Sequence, residues 1–572
     1  MSEATVVRVN GPVVDVVGFE EVGMLELVEV GEQRLPGEVI ALDGDRATVQ
    51  VYEYTGGLGP GGPATASGAP LSAELGPGLL GGVFDGMLRR LGGAGDRIEA
   101  GERLETLSHE RRWAFDPEPG VAEAPPGTLL GRVAEATAVE HRVLVPPGVA
   151  GAVEWLAPAG EYTVEEPIAR IGGADVTLAH RWPVRRPRPV AARLPASVPL
   201  TTGQRALDLF FPIAHGSTAA VPGGFGTGKT VLLQRIAKWC DADVIVYVGC
   251  GERGNEMADV LRELPELQDP RTGRPLMDRT VLIANTSNMP VLAREASIHT
   301  GVTVAEFFRD MGHDVVLIAD STSRWAEALR EVASRTDQLP AEEGYPAGLA
   351  SALAAFYERA GSVRTLGGAE ASVTVLGAVS PPGGDLTEPV SAHTRRFTRC
   401  TWSLDRDLAY ARHYPAVSWR ESFSRDAEAV AGWHFVEREP EWGDRRERAL
   451  TLLAEADRLE SIAQLIGAGS LPDAERIALL GGRLLREAVL QQSALSRNDA
   501  YCEPAKQSAL LALVLDVIDA CRQLVDGGVA AATIEEVDFS AVTRARDSTP
   551  PDGANEVAGV FTEIASKLRG LA

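Results

Sequence analysis

The spacing of apolar and polar residues changes character along this chain, and each change predicts a different layer of structure. Residues 1–70 alternate in short runs, as in Thr5-Val6-Val7-Arg8-Val9 and Ala47-Thr48-Val49-Gln50-Val51-Tyr52, broken at Gly11-Pro12 and Asp43-Gly44. Period-two alternation between turn residues predicts a small N-terminal β-barrel or sandwich. A Gly- and Pro-rich stretch, Gly76-Pro77-Gly78-Leu79-Leu80-Gly81-Gly82, lies in residues 71–109, read as the start of the core domain that resumes at residue 189. In residues 110–188, Pro117, Pro119, Pro125 and Pro126 break any helix, and β-like runs such as Glu140-His141-Arg142-Val143-Leu144-Val145 follow. Trp113, Trp155 and Trp182 give this stretch something to bury, so it reads as an inserted, mostly-β module rather than a linker.

Over residues 189–435 apolar runs alternate with helical patterns. The predicted strands are Val244-Ile245-Val246-Tyr247-Val248, Thr280-Val281-Leu282-Ile283-Ala284, Val315-Val316-Leu317-Ile318-Ala319 and Ser372-Val373-Thr374-Val375-Leu376. Near-continuous apolar strands between helices predict a parallel sheet covered on both faces. From 436 to 572 the pattern is helical, as in Ala509-Leu510-Leu511-Ala512-Leu513-Val514-Leu515, and predicts a C-terminal bundle. The expected fold is thus multidomain α/β: barrel, nucleotide-binding core with a parallel sheet and a β insertion, then helices.

The core carries one sharp motif. Gly223-Gly224-Phe225-Gly226-Thr227-Gly228-Lys229-Thr230 fits G-x-x-x-x-G-K-[ST], with Thr218-Ala219-Ala220-Val221 before it reading as a strand. The segment Val231-Leu232-Leu233-Gln234-Arg235-Ile236-Ala237-Lys238 after it has helical spacing. Such a loop turns backbone N–H groups around a phosphate at a helix N-terminus. Lys229 is expected to reach the β- and γ-phosphates, and the Thr230 hydroxyl to coordinate Mg²⁺. The alternative, an accidental Gly-rich turn, does not explain why strand, loop and helix come in this order.

Bulk properties narrow the partners. At 572 residues the chain is too long for one core. Its net charge of −25 opposes binding to a phosphate backbone, so no nucleic-acid partner is expected. No run approaches the ~20 apolar residues of a membrane span, and the opening residues lack a signal peptide's basic and apolar segments. A cytoplasmic protein is expected; if it serves a membrane process, other subunits must provide the membrane part. The five cysteines have no C-x-x-C spacing and read as buried reduced thiols.

Ligands of open parallel sheets sit at the carboxyl ends of strands. Asp320 closes one such run, where a carboxylate can hold Mg²⁺ directly or through water; a cap for the following Ser321-Thr322-Ser323 helix start is the alternative. Glu252 lies just past another, where it can align a water for in-line attack on the γ-phosphate. Arg253 beside it can contact phosphate or fix the carboxylate, and a surface ion pair explains the Glu-Arg pair equally well. His299 and His313 lack partners at metal-ligand spacing and read as surface or helix-end histidines. The charged stretch of residues 436–460 reads as a solvated helix face.

These motifs, with Gly251-Glu252-Arg253-Gly254-Asn255-Glu256, Asp320-Ser321-Thr322-Ser323-Arg324-Trp325-Ala326-Glu327-Ala328, Gly78 to Gly86 and Gly344-Tyr345-Pro346-Ala347, resemble the catalytic A subunit of V-type and archaeal-type rotary ATPases. The likeness runs over nearly the whole chain in the same order. It implies ATP or ADP as ligand, bound by Gly223 to Val231, with Mg²⁺ at Thr230 and Asp320. It further implies Glu252 as the water-polarising carboxylate and Arg253 as a phosphate or orienting residue. His413-Tyr414-Pro415 and Ala500-Tyr501-Cys502 fall where the family stacks adenine, so Tyr414 and Tyr501 are candidates; core aromatics near a domain boundary are the alternative. It also implies a hetero-hexameric ring with a non-catalytic B-type subunit that supplies an arginine finger, plus central-stalk and peripheral-stalk subunits. The work implied is ATP hydrolysis or synthesis coupled to H⁺ or Na⁺ transport by a separate membrane sector. Thr227 stands where many eukaryotic members carry a cysteine, so their redox switch is not expected. Gly224 replaces the proline of bacterial and archaeal relatives, which loosens the loop without removing a ligand.

Overall fold

The computed structural model describes residues 3–92, 101–102, 104–135, 139–269, 271–335 and 339–571. The chain divides into two compact units. The first comprises Met1–Pro195, Gly216–Thr218 and Ala242–Phe397; the second comprises Ala196–His215, Ala219–Asp241 and Thr398–Ala572.

The first unit opens with a closed six-stranded barrel, Glu3–Asn10 to Pro63–Pro70. Its inward positions, among them Val14, Val16, Val28, Val39 and Val49, are fully buried, which is what the alternating pattern requires of a closed sheet. Next, two antiparallel four-stranded sheets form the insertion: Trp113–Pro117, Leu129–Val133, His141–Leu144 and Gly160–Tyr162 in one, Glu123–Ala124, Gly151–Leu156, Pro167–Ile171 and Ala174–Thr177 in the other. Trp113 and Trp182 are buried as expected, whereas Trp155 is not. It sits on Gly151–Leu156, a strand with no fully buried position, so its ring has no core to enter.

The core of this unit is a parallel sheet in the order Glu370–Val379, Asp314–Asp320, Val244–Glu252, Thr280–Thr286, Val83–Phe84. Eight of nine residues in Val244–Glu252 are buried, with Glu252 the exception, so the strand ends by delivering a carboxylate out of the core. The helix Val291–Asp310 packs on this sheet with most of its length buried. Arg185 ties barrel to core: its guanidinium bonds Glu38 of the barrel at 2.5 Å and Glu295 of that helix.

His299 and His313 depart from the surface reading. His299 lies mid-helix, 3.3 Å from Glu295 and edge-on to Trp325. His313 is buried with Nε2 2.9 Å from the Glu140 carbonyl. Isolated histidines carry no periodic signal, so the pattern could not place them.

In the second unit Ala219 and Ala220, of the strand Thr218–Pro222, pair in parallel with Cys400–Thr401, which pairs antiparallel with Phe423–Ser424. The helices Trp442–Ile466, Asp473–Leu485, Pro504–Asp526 and Ala554–Arg569 pack together on Leu452, Leu484, Leu510, Val514 and Ile564. The charges of 436–460 do more than face solvent: Arg446 Nε donates to the Phe210 carbonyl at 2.9 Å, and Glu439 bonds both Arg445 and Ser508. All five cysteines are buried thiols.

Candidate nucleotide site and its family

In the second unit, Gly223 to Gly228 form the loop between the strand Thr218–Pro222 and the helix Lys229–Trp239. Gly228 is the helix N-cap at φ 89°, a left-handed conformation that side chains resist. Its carbonyl still accepts the first helical bond, from Leu232 N at 2.9 Å. Thr227 is buried and its hydroxyl donates to the Gly224 carbonyl at 2.8 Å, closing the loop on itself. Lys229 Nζ reaches back over the loop to the carbonyls of Gly223 and Gly224, at 2.6 and 3.1 Å. Thr230 opens the helix's first turn; Val231 and Phe225 are exposed. This is a helix N-terminus with an ammonium folded over it, an arrangement suited to a polyphosphate.

Tyr414 and Tyr501 lie in the same unit and have different surroundings. Tyr501 stacks on Trp239, the last residue of the phosphate-loop helix, with ring centroids 4.8 Å apart and planes 15° apart. Burial, then the charge of Glu503, pushes its phenol up to about 12. Tyr414 is 42% exposed, and its carbonyl accepts from Gln492 N at 2.8 Å. Three residues past Gln492, Leu495 is almost wholly exposed. An exposed leucine in a polar loop gives no signal in the sequence.

The segment that carries these residues is fixed by buried charge. Asp499 accepts from Arg205 and Arg546 at 2.6 Å each and from Ser493 N at 2.6 Å. Lys506, also fully buried, donates to the carbonyls of Asn498, Arg546 and Thr549 at 2.9, 2.9 and 2.8 Å. Neither group is legible in the sequence, because their partners lie up to 294 residues away.

In the first unit the strand ends Glu252 and Asp320 are brought together. Burial is the main cause that raises the Glu252 carboxyl above the usual range; the Asp320 charge and a hydrogen bond with Glu256 add to it, and Arg324 opposes them. Asp320 is buried and accepts from Tyr247 Oη at 3.0 Å. Burial, then Asp320, pushes that phenol well above its ordinary value, so it remains a donor. Gly251 turns the strand end at φ 68°, and a Cβ there would lie 2.8 Å from both Arg294 Cδ and Arg324 Cβ. Arg253 is the N-cap of Gly254–Glu266 and is exposed; the Arg324 charge acts on Glu252, and Arg324 also bonds both carboxylate oxygens of Glu327 at 2.7 and 3.0 Å.

A family model described as "ATP synthase alpha/beta family, nucleotide-binding domain" matches residues 203–424. Others match residues 6–68 (beta-barrel domain), 104–185 (barrel-sandwich domain) and 431–531 ("C-terminal domain of V and A type ATP synthase"). The "V-type ATP synthase alpha chain" of Anaeromyxobacter dehalogenans is 56% identical over 518 residues, 90% of this chain and 89% of that one. The chain belongs to the V- and A-type ATP synthase alpha/beta family. The "V-type ATP synthase alpha chain" of Nitrosococcus oceani is 53% identical, covering 91% of this chain and 90% of the relative. The corresponding A-type ATP synthase chain of Ignicoccus hospitalis is 47% identical over 99% of both. Among solved structures, the assembled ATPase EscN from the enteropathogenic E. coli type III secretion system aligns with a TM-score of 0.65 at 22% identity, covering 90% of this chain and 100% of that one. At that identity it speaks to the fold. For this V/A-type family member, residues 203–424 accordingly form a nucleotide-binding domain.

Proposed function

We propose that this chain is the catalytic subunit of a V/A-type rotary ATPase or ATP synthase, hydrolysing or making ATP in a multisubunit complex that couples the reaction to H⁺ or Na⁺ transport. The observation that carries the catalytic reading is Glu252: a carboxyl delivered from a buried strand end, with its proton affinity raised by burial and by Asp320. A carboxyl held at that place can orient a water for in-line attack. In this reading Gly223 to Val231 hold the phosphates, with Lys229 on the β- and γ-phosphates. Arg253 and Arg324 supply positive charge near the strand end, and Tyr414 and Tyr501 contribute to the adenine site. Of these two, Tyr414 presents the more exposed ring.

Mg²⁺ suits the donors available. Thr230 and Asp320 offer hard oxygens, and among the described residues no group of three or more His, Cys, Asp or Glu forms a cage. That donor set fits an ion that keeps most of its waters and takes phosphate oxygens. Thr230 and Asp320 are the residues that would hold the ion, which would supply neutralisation of phosphate charge.

The reading includes a non-catalytic B-type partner that completes the site with an arginine finger, a central stalk that transmits rotation, and peripheral-stalk subunits. Among the described residues no helix is long and apolar enough to cross a membrane, so the membrane part of the work is assigned to other subunits. An arginine supplied in trans contributes ~10³–10⁵ in rate. ATP hydrolysis by the purified chain, alone and mixed with its non-catalytic partner, tests this. A rise of at least ~10² on mixing is expected; full turnover by the chain alone contradicts a site completed by a partner.

A further inference from the structure

Tyr247 is fully buried, yet its hydroxyl is not spent on packing: it donates to Asp320 Oδ2 at 3.0 Å. The strands Val244–Glu252 and Asp314–Asp320 run parallel, with Tyr247 opposite Ile318 and Gly249 opposite Asp320. Tyr247 and Gly249 point to one face, and a Cβ on Gly249 would lie 1.7 Å from Met257 Cε. A side chain at Gly249 would have to displace the Met257 methyl, whereas the phenol two residues earlier reaches the carboxylate along the strand. Neighbouring residues do not share this arrangement: Val246 and Val248, on either side of Tyr247, are apolar and buried.

We propose that Tyr247 is a positioning residue for the metal: its hydroxyl fixes the rotation of the Asp320 carboxylate, and so the direction in which Asp320 meets the hydrated Mg²⁺. This rests on the reading of Asp320 as part of the metal shell. Mg²⁺ demands near-octahedral geometry, and a carboxylate free to rotate presents that geometry only part of the time. Hydrogen bonds that orient a ligand are typically worth ~10–100-fold in metal affinity.

The test is ADP affinity of the full chain, with Mg²⁺ and with EDTA, for wild type, Tyr247→Phe, Asp320→Asn and the double variant, each checked for native fold by near-UV circular dichroism. Tyr247→Phe keeps the ring and removes only the donor. It is expected to cut the Mg²⁺-dependent gain in ADP affinity ~10-fold while leaving affinity in EDTA within about twofold. In the Asp320→Asn background the same substitution is expected to change nothing further. An unaltered Mg²⁺-dependent gain in Tyr247→Phe overturns the proposal even if stability falls, as does an equal effect with and without Asp320. If Asp320→Asn itself leaves the Mg²⁺ gain intact, the metal reading of Asp320 fails and the proposal with it. Should Tyr247→Phe not fold, 3-fluorotyrosine in place of tyrosine, in wild type and in Asp320→Asn, decides the question. A more acidic phenol is expected to shift the Mg²⁺ gain in the wild-type background only, and a shift in both overturns the assignment.

Discussion

Replacing Lys506 by Met is expected to unlatch the segment of residues 491–502 without unfolding the unit around it. The ammonium is fully buried and serves three carbonyls at 2.8–2.9 Å, those of Asn498, Arg546 and Thr549. Two of these belong to the C-terminal end of the helix Ser540–Ser548, where carbonyls have no helical partner and the helix dipole favours a cation. Each carbonyl left unpaired in the interior costs ~1–3 kcal/mol. Methionine recovers part of this, because burying an ammonium itself costs several kcal/mol. The balance is a local destabilisation of ~3 kcal/mol, on the order of a hundredfold in an opening equilibrium. Hydrogen exchange read by mass spectrometry on peptides covering 493–502 and 545–549 measures it, since exchange reports local opening. The expected result is ~100-fold faster exchange in both peptides, with the Val244–Glu252 strand unchanged. Acceleration below about threefold in both peptides refutes the reasoning, because three satisfied carbonyls cannot lose their donor at no cost.

Two further outcomes follow from other sites. Arg185 is shared between Glu295, held at about 2 because Arg185 and His299 outweigh its burial, and Glu38, pushed up to about 7 chiefly by burial. The folded value of Glu38 exceeds its ordinary 4.5, so its contribution is fully present below that pH and is lost as pH rises through about 7. Urea midpoints of wild type are expected to fall from pH 5 to pH 8 by the equivalent of up to ~3 kcal/mol, and those of Glu38→Gln to stay nearly level; parallel curves exclude Glu38 as the cause. Gly251→Ala places a methyl against Arg294 and Arg324 at a backbone φ of 68°. It is expected to lower ATP turnover at least ~10-fold through displacement of Glu252, with ATP affinity held within about threefold; normal turnover in an equilibrium-stable variant argues against a tight geometric demand there.

Much of the fold is legible in the chain because its signals are local. The barrel shows period-two alternation over Ala47 to Val51, and each core strand shows as an unbroken apolar run, as in Val315 to Ala319. The phosphate loop is legible for the same reason, its glycines being a consequence of backbone geometry at Gly228. What the chain hides is non-local. Nothing near Tyr501 announces that its ring lies on Trp239, because the two meet only when the C-terminal helices fold back. Tyr247 reads as one more apolar strand residue, and only the register with Asp320 shows its hydroxyl to have a partner. Trp155 misleads for the opposite reason: a large apolar residue signals burial, and its strand offers no interior.

The central claim is that Glu252 acts on the attacking water rather than on nucleotide binding. Its most direct test is Glu252→Gln in the purified complex, with ATP affinity and steady-state hydrolysis measured on the same preparation. The account predicts ATP affinity within about threefold of wild type and hydrolysis reduced by at least ~10². Unchanged hydrolysis, or a loss of hydrolysis that merely follows a loss of binding, contradicts it.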